Sequence, residues 1–248
     1  MLIITLQPAV AEDIIRIGVT PGVYAEILEQ VKNVAVAQDL KLNIVVFDDK
    51  TRIDEALAQH KIDAASFEDG PSFAANRQRY ALANAGSTVT LPMAIYSRQL
   101  SNLTQLQRGA SIAIPADAAG AARALVLLQN FTLLTFADRA GLHAKLADIT
   151  SNRLGLKIRQ LPRERLYAAL DKVAFAVIDS NDAARAGLYP ARDSLGIEDA
   201  RSPWQGVLAV READRAQPWV AQLVKACHSD TVAHFILTHY QDSVRRPW

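Results

Sequence analysis

Short β-branched, apolar runs alternate along this chain with amphipathic helical patterns, and that alternation confines it to an α/β fold. Residues 14–19 read as a buried strand, Thr20, Pro21 and Gly22 end it, and a helical pattern over residues 23–38 puts Ile27, Leu28, Val31 and Val34 on one face. Residues 42–47 form a second strand, Thr51 stands ahead of a helix presenting Ile53, Ala56 and Leu57, and residues 63–67 complete a β-α-β repeat. Strands connected through helices are expected to lie parallel in a right-handed layer. After an extended segment at residues 89–97, broken by Pro92, the series restarts with strand 111–115, an Ala- and Leu-rich helix over 121–130, strand 157–161, helix 163–171 and strand 175–178. Residues 207–211 add a strand, and Pro218 opens an amphipathic helix reaching residue 240, with Val220, Leu223, Val224 and Cys227 at helical spacing.

Two such series, each long enough for a small domain, predict two lobes with a ligand crevice between them. The expected division is residues 12–92 in lobe 1, 93–204 in lobe 2 and 205–248 returning to lobe 1. Lys and Arg number 27 against 26 Asp and Glu, which leaves no cationic excess for a phosphate backbone, so no nucleic-acid partner is expected. The lone Cys227 rules out an intramolecular disulfide framework and a Cys-rich zinc site. Residues 1–11 carry a short apolar stretch, Pro8 and then Ala9-Val10-Ala11, the pattern that ends a secretory signal peptide, so the chain is expected to be exported. No apolar run approaches the roughly 18 residues that a spanning helix requires.

Residues 115–123 make an Ala- and Gly-rich junction between strand and helix, where backbone N–H groups and the helix dipole favour an anion. The junction lacks the spacing of a Gly-x-Gly-x-x-Gly or P-loop motif, so no nucleotide is expected there. With the helix starting at residue 121, Arg123 falls in its first turn, where a cation is disfavoured; a clamp for a ligand carboxylate and a surface ion pair both remain open for it. Glu68 and Asp69 occupy a polar turn after a strand, where Asp69 caps a helix or one of the two faces an ammonium group. Asp179 directly follows a buried strand, at the carboxyl end where open α/β sheets bind ligands. The histidines at 60, 143, 228, 234 and 239 form no metal-ligand motif, no Gly-x-Ser-x-Gly elbow occurs, and Cys227 lies on an apolar helix face. Neither a metal, a cofactor nor a catalytic nucleophile is expected. Met93 and Trp204 read as packing residues.

The segments Ile17-Gly-Val-Thr-Pro-Gly22, Ala25-Glu-Ile-Leu28, Glu55-Ala-Leu57, Leu91-Pro-Met-Ala-Ile-Tyr-Ser97, Ala113-Ile-Pro115, Arg123-Ala-Leu125, Ser202-Pro203 and Val210-Arg211 occur in order across residues 14–236. Together they resemble the NlpA/MetQ family, the methionine-type substrate-binding proteins of bacterial ABC importers. The resemblance implies a two-lobed periplasmic-binding-protein fold, type II-like, that closes on an amino acid and hands it to a membrane permease. It carries the family's carboxylate-holding arginine onto Arg123. Where the family often has Tyr-Phe-Gln-His-Gln-Pro-Tyr, this chain has Ser66-Phe-Glu-Asp-Gly-Pro-Ser72, so the aromatic and histidine contacts become Ser66, Asp69 and Ser72, while Phe67 and Pro71 match. The family's Asn-Thr-Asn appears as Asp179-Ser180-Asn181, and a further asparagine as Gly206.

These replacements remove the surface a thioether would contact and add carboxylates that favour a cation. The expected ligand is therefore a zwitterionic amino acid or close relative, with methionine as the family default. Arg123 is expected on its carboxylate, Asp179 on its α-ammonium, and Asp69 or Glu68 on a polar or basic side chain. The family's lipobox cysteine is missing, so a freely soluble periplasmic monomer is expected. A sensory module on the same fold, and an enzyme using Asp69 or Asp179 as general acid or base, are the alternative classes.

Overall fold

The computed structural model describes residues 14–248, and the expected signal-peptide remnant at residues 1–11 lies outside them. Strand β1 (Ile15–Val19) leads into helix α1 (Val23–Ala35), followed by β2 (Leu42–Val46), α2 (Ile53–Ala58), β3 (Ala64–Asp69), α3 (Gly70–Tyr80) and β4 (Leu82–Ser87). Next come β5 (Met93–Tyr96), β6 (Ser111–Pro115), α4 (Ala118–Asn130), the short pair β7 (Thr135–Phe136) and β8 (Ile149–Ser151), β9 (Lys157–Leu161) and α5 (Arg163–Ala169). The chain closes with β10 (Phe175–Asp179), α6 (Ser180–Arg185), α7 (Pro190–Asp193), β11 (Ser194–Ile197), β12 (Gly206–Arg211), α8 (Pro218–Cys227) and α9 (Asp230–Tyr240). No helix among the described residues is long and apolar enough to cross a membrane.

The first unit comprises residues 14–68, 72–88 and 207–235. Its sheet runs β2-β1-β3-β12-β4, with β1 parallel to both neighbours and β12 antiparallel to β4. Ile53, Leu57, Ile62, Phe73, Leu82 and Val207 pack together as its core. A buried cation ties the far end of the sheet: Arg211 donates through Nη1 to the carbonyls of Leu57 (2.9 Å) and Ile62 (2.6 Å), through Nε to Asp214 (2.5 Å) and through Nη2 to Asp63 (3.2 Å). Asp63 also accepts from Arg16 Nε and Nη2, both at 2.9 Å. Burial alone would push the Asp63 carboxyl up, but the bonds from Arg16 and Arg211 outweigh it and hold the group below its ordinary value.

The second unit comprises residues 69–71, 89–206 and 236–248. Its sheet runs β11-β5-β10-β6-β9; β10, β6 and β9 are parallel, while β5 is antiparallel to β10 and β11. One face of it packs on α4 through residues including Ile112, Ile114, Leu125 and Phe175, and the other face buries Ala94, Tyr96, Leu166, Leu170 and Ile178. Both sheets are thus mixed, a correction to the expected parallel layers: β4 runs antiparallel to β12, and β5 runs antiparallel to both β10 and β11.

Two boundaries differ from the sequence reading. Residues 236–248, expected with lobe 1, belong to the second unit, because Arg245 and Thr90 exchange backbone hydrogen bonds of 2.8 and 3.0 Å and Arg245 Nη1 donates to the Glu198 carbonyl at 3.0 Å. The single C-terminal helix is two, broken where the Ser87 carbonyl binds the His228 ring at 2.7 Å and the Ser229 hydroxyl accepts the Val232 N–H.

Replacing Arg211 by Met leaves Asp63 and Asp214 each short of a partner and removes the side-chain donor to the Leu57 and Ile62 carbonyls, and urea titration is expected to show a loss of about 3–5 kcal/mol. The Arg16→Gln variant tests the same carboxylate by its pH dependence. Because Asp63 is held low, its contribution is complete above the unfolded carboxylate value and fades as pH falls through the folded one. The stability gap between wild type and Arg16→Gln should therefore be full at pH 6 and close on acidification.

Candidate ligand site

Three adjacent parallel strands of the second unit deliver charged residues at their carboxyl ends. Beyond β6, Asp117 caps α4 by accepting the Gly120 N–H at 2.8 Å, which starts that helix at Ala118, three residues before the expected 121. Arg123 consequently lies in the second turn, so the first-turn argument against a solvated structural role for it falls, and one of the N–H groups offered to an anion already holds a carboxylate. Arg163, the first residue of α5 beyond β9, donates Nε and Nη2 to the two Asp117 oxygens at 2.7 and 3.0 Å and pairs through Nη1 with Asp179. Asp179 ends β10 and caps α6 by accepting the Asp182 N–H at 3.0 Å.

The charge balance there leans negative. Arg163 pulls Asp117 below the usual carboxylate range, and Arg163 itself is raised, chiefly by its bonds to Asp117. Asp182 moves the other way, pushed above its ordinary value by burial and then by the neighbouring Asp179, although Arg185 pairs with it. Tyr96 on β5 is raised by burial and by Asp193 and Asp179, and its buried hydroxyl has no hydrogen-bond partner among the described residues. Gly120 makes this packing possible: a Cβ there would lie 2.7 Å from both Arg163 Nη2 and the Pro115 ring.

Arg123 is not a surface residue; its side chain is 13% exposed and paired with Glu198, itself 3% exposed. Its Nε reaches the two Glu198 oxygens at 3.1 and 3.2 Å, Nη2 binds Glu198 and the Leu91 carbonyl (2.9 Å), and Trp204 lies 5.5 Å from the guanidinium carbon. No partner to Nη1 is found among the described residues. The segment Leu91-Pro92-Met93 connects this pair to Asp179. Pro92 accepts from the Ser180 hydroxyl at 2.5 Å, Met93 donates its N–H to Glu198 at 3.1 Å, and Met93 stands opposite Asp179 in the β5–β10 register.

The second unit thus unites Arg123, Asp179, the exposed Asn181 and the buried Gly206, whose N–H donates to Val89 at 2.9 Å. Asp69 joins them through its neighbour: Gly70 donates its N–H to Gln205 at 3.1 Å, and a Cβ at Gly70 would stand 2.6 Å from the Pro203 carbonyl. Ser66, Phe67, Glu68 and Ser72 belong to the first unit. Ser66 and Glu68 are buried, Phe67 packs on the Ile53–Val207 core, and Ser72 is exposed. The sequence reading missed Arg163 and Glu198 and took Trp204 for packing alone; only the position of Arg163 directly beyond a strand signalled it.

Two α/β units, each on a mixed five-stranded sheet and joined by several chain crossings, define the periplasmic-binding-protein class. The NlpA lipoprotein family model matches residues 15–248. A probable D-methionine-binding lipoprotein MetQ from Vibrio cholerae is 33% identical over 246 residues, 98% of this chain and 91% of that protein. Among solved structures, an ABC transporter periplasmic substrate-binding protein from Coxiella burnetii is 36% identical with a TM-score of 0.77, over 94% of this chain and all of that one. A nutrient-binding protein from Burkholderia cenocepacia, bound to methionine, is 33% identical with a TM-score of 0.77, over 95% of this chain and all of that one. The chain belongs to the NlpA lipoprotein family. These relatives are binding proteins and not enzymes, as the sequence led us to expect. The names of the family and of the Vibrio protein include lipid attachment, which speaks against the expected unanchored form.

Exchanging Gly120 for Ala is expected to cost about 1–3 kcal/mol, because the Pro115 ring cannot yield. In Arg163→Gln, NMR titration should find Asp117 moved back up toward the ordinary carboxylate range, and the stabilisation that the lowered value confers at neutral pH should be gone.

Proposed function

We propose that this chain is the extracytoplasmic substrate-binding protein of an ABC importer and that it carries an amino acid, or close relative, more polar or more cationic than methionine to a membrane permease. Family membership supports the first half of this reading. One observation carries the second: where β6 and β10 end, three carboxylates, Asp117, Asp179 and Asp182, form ion pairs with two guanidinium groups, Arg163 and the exposed Arg185. An ammonium group gains from such surroundings, and at the side-chain end the carboxylate of Asp69, where the family often has histidine, favours a cation over a thioether.

In this reading the open Nη1 of Arg123 donates to the ligand's carboxylate and Asp179, which shares its oxygens with Arg163 and the α6 cap, accepts from the α-ammonium. Asp69, whose neighbour Gly70 donates its N–H to Gln205, takes the polar end of the side chain, with Asn181 just beyond the end of β10; for Gly206 the support is the family resemblance. For Ser66, Phe67, Glu68 and Ser72 the support is the family resemblance alone. Release of the ligand requires no chemistry, only opening.

The test is a thermal-shift screen of protein stripped of co-purified ligand, against L- and D-methionine, lysine, arginine, ornithine and histidine. A ligand at about 100 times its dissociation constant adds roughly 2.7 kcal/mol, which raises the melting point by several degrees in a chain of this size. A shift with a basic or polar amino acid and none with methionine is the expected result; a shift with methionine alone would overturn the reading of the carboxylates. In Arg123→Ala the shift should vanish.

A further inference from the structure

Glu198 holds more of the Arg123 guanidinium than any ligand could. We infer that Glu198 is a positioning residue which sets the charge of the Arg123 site, so that a ligand's carboxylate meets a hydrogen-bond donor on a neutral pair and not an unpaired cation. This deepens the amino-acid reading above and rests on it.

The geometry supports the inference at each step. Arginine recognises a carboxylate best through two parallel N–H groups, and Glu198 occupies the Nε and Nη2 edge, while the Leu91 carbonyl takes a further Nη2 donor. Trp204 stands against the guanidinium, which leaves Nη1 as the group still able to donate. Glu198 cannot swing aside to yield that edge. It is 3% exposed, its Oε2 also accepts the Met93 N–H at 3.1 Å, and its own carbonyl is held by Arg245 at 3.0 Å. A pair so little exposed is weakly screened by water, so the glutamate charge cancels most of the field an incoming anion would feel. Specificity follows from that cancellation. A carboxylate and a carboxamide present similar acceptor oxygens to Nη1, and a neutral pair separates them far less than a lone guanidinium would.

The experiment uses acetate and acetamide as probes, followed through the backbone amide NMR signals of residues 122–124, so that it needs no identified ligand and reads the variants that lack Arg123 as well. In wild type the two should bind with affinities within about tenfold of each other. In Glu198→Gln, which keeps the size of the side chain and removes its charge, acetate should tighten by about tenfold or more while acetamide stays as it was. The Arg123→Gln/Glu198→Gln double variant should lose the acetate gain. An unchanged acetate-to-acetamide ratio in Glu198→Gln, or an acetate gain that survives in the double variant, would overturn the inference, since a purely structural residue would weaken both probes alike. Should Glu198→Gln not fold, Glu198→Asn, which likewise removes the charge while keeping an amide acceptor, is read by the same ratio with the same expected outcome. If the amino-acid screen fails while the acetate contrast appears, the proposed ligand class falls and the role of Glu198 stands.

Discussion

Helices that start where strands end leave backbone N–H groups unsatisfied at the place where an α/β protein binds its ligand, and something negative must fill them. In the second unit the chain fills them with its own side chains: Asp117 caps α4 and Asp179 caps α6. Two carboxylates fixed so close together need a cation, and Arg163, delivered by the neighbouring strand β9, bridges both. Much else follows from that bridge. Residue 120 has to be glycine for the guanidinium to pass, Asp182 is left with surplus charge around it, and the strand ends become a rigid, slightly acidic surface.

A second internal pair completes the platform. Arg123 and Glu198 are 75 residues apart in sequence and meet across the Leu91–Met93 segment, with Ser180 fastening the same segment from the other side. Both charged pairs therefore converge on one short stretch of backbone. The candidate ligand residues Arg123 and Asp179 are thus also ones that hold this part of the unit in place.

How much of this the sequence reveals depends on the range of the interaction. The alternation of strands and helices was legible because burial leaves a periodic trace, and β1, β2, β6, β9, β10 and β12 fall within a residue or two of their expected places. The strand β4 was not legible: Leu82-Ala-Asn-Ala-Gly-Ser87 is a half-exposed edge without β-branched residues. Helix α3 buries only Phe73 and so carries no amphipathic signature. The start of α4 was misread because Ala118-Ala119-Gly120 looks like a loop until Asp117 is recognised as its cap. Among the candidate site residues, Asp179 could be picked out from residue type and strand-end position, and Arg123 through the family resemblance. Glu198 could not, since its partners come from β5 and α4 and nothing local marks a buried glutamate at the end of an edge strand.

The family's polar contacts and this chain's replacements differ in kind as well as in residue type. An asparagine at the end of β10 would offer both a donor and an acceptor and carry no charge; Asp179 offers acceptors alone and already gives one oxygen to Arg163 and the other to the α6 cap. Each oxygen retains one lone pair, enough for a single ammonium approaching between them. In the proposed reading the ligand's α-ammonium improves the balance at Asp179 and beside Asp182, and every amino acid brings that group whatever its side chain. In that reading, incomplete neutralisation of the helix caps therefore favours an amino acid's ammonium over an uncharged ligand, and the choice among side chains falls to Asp69.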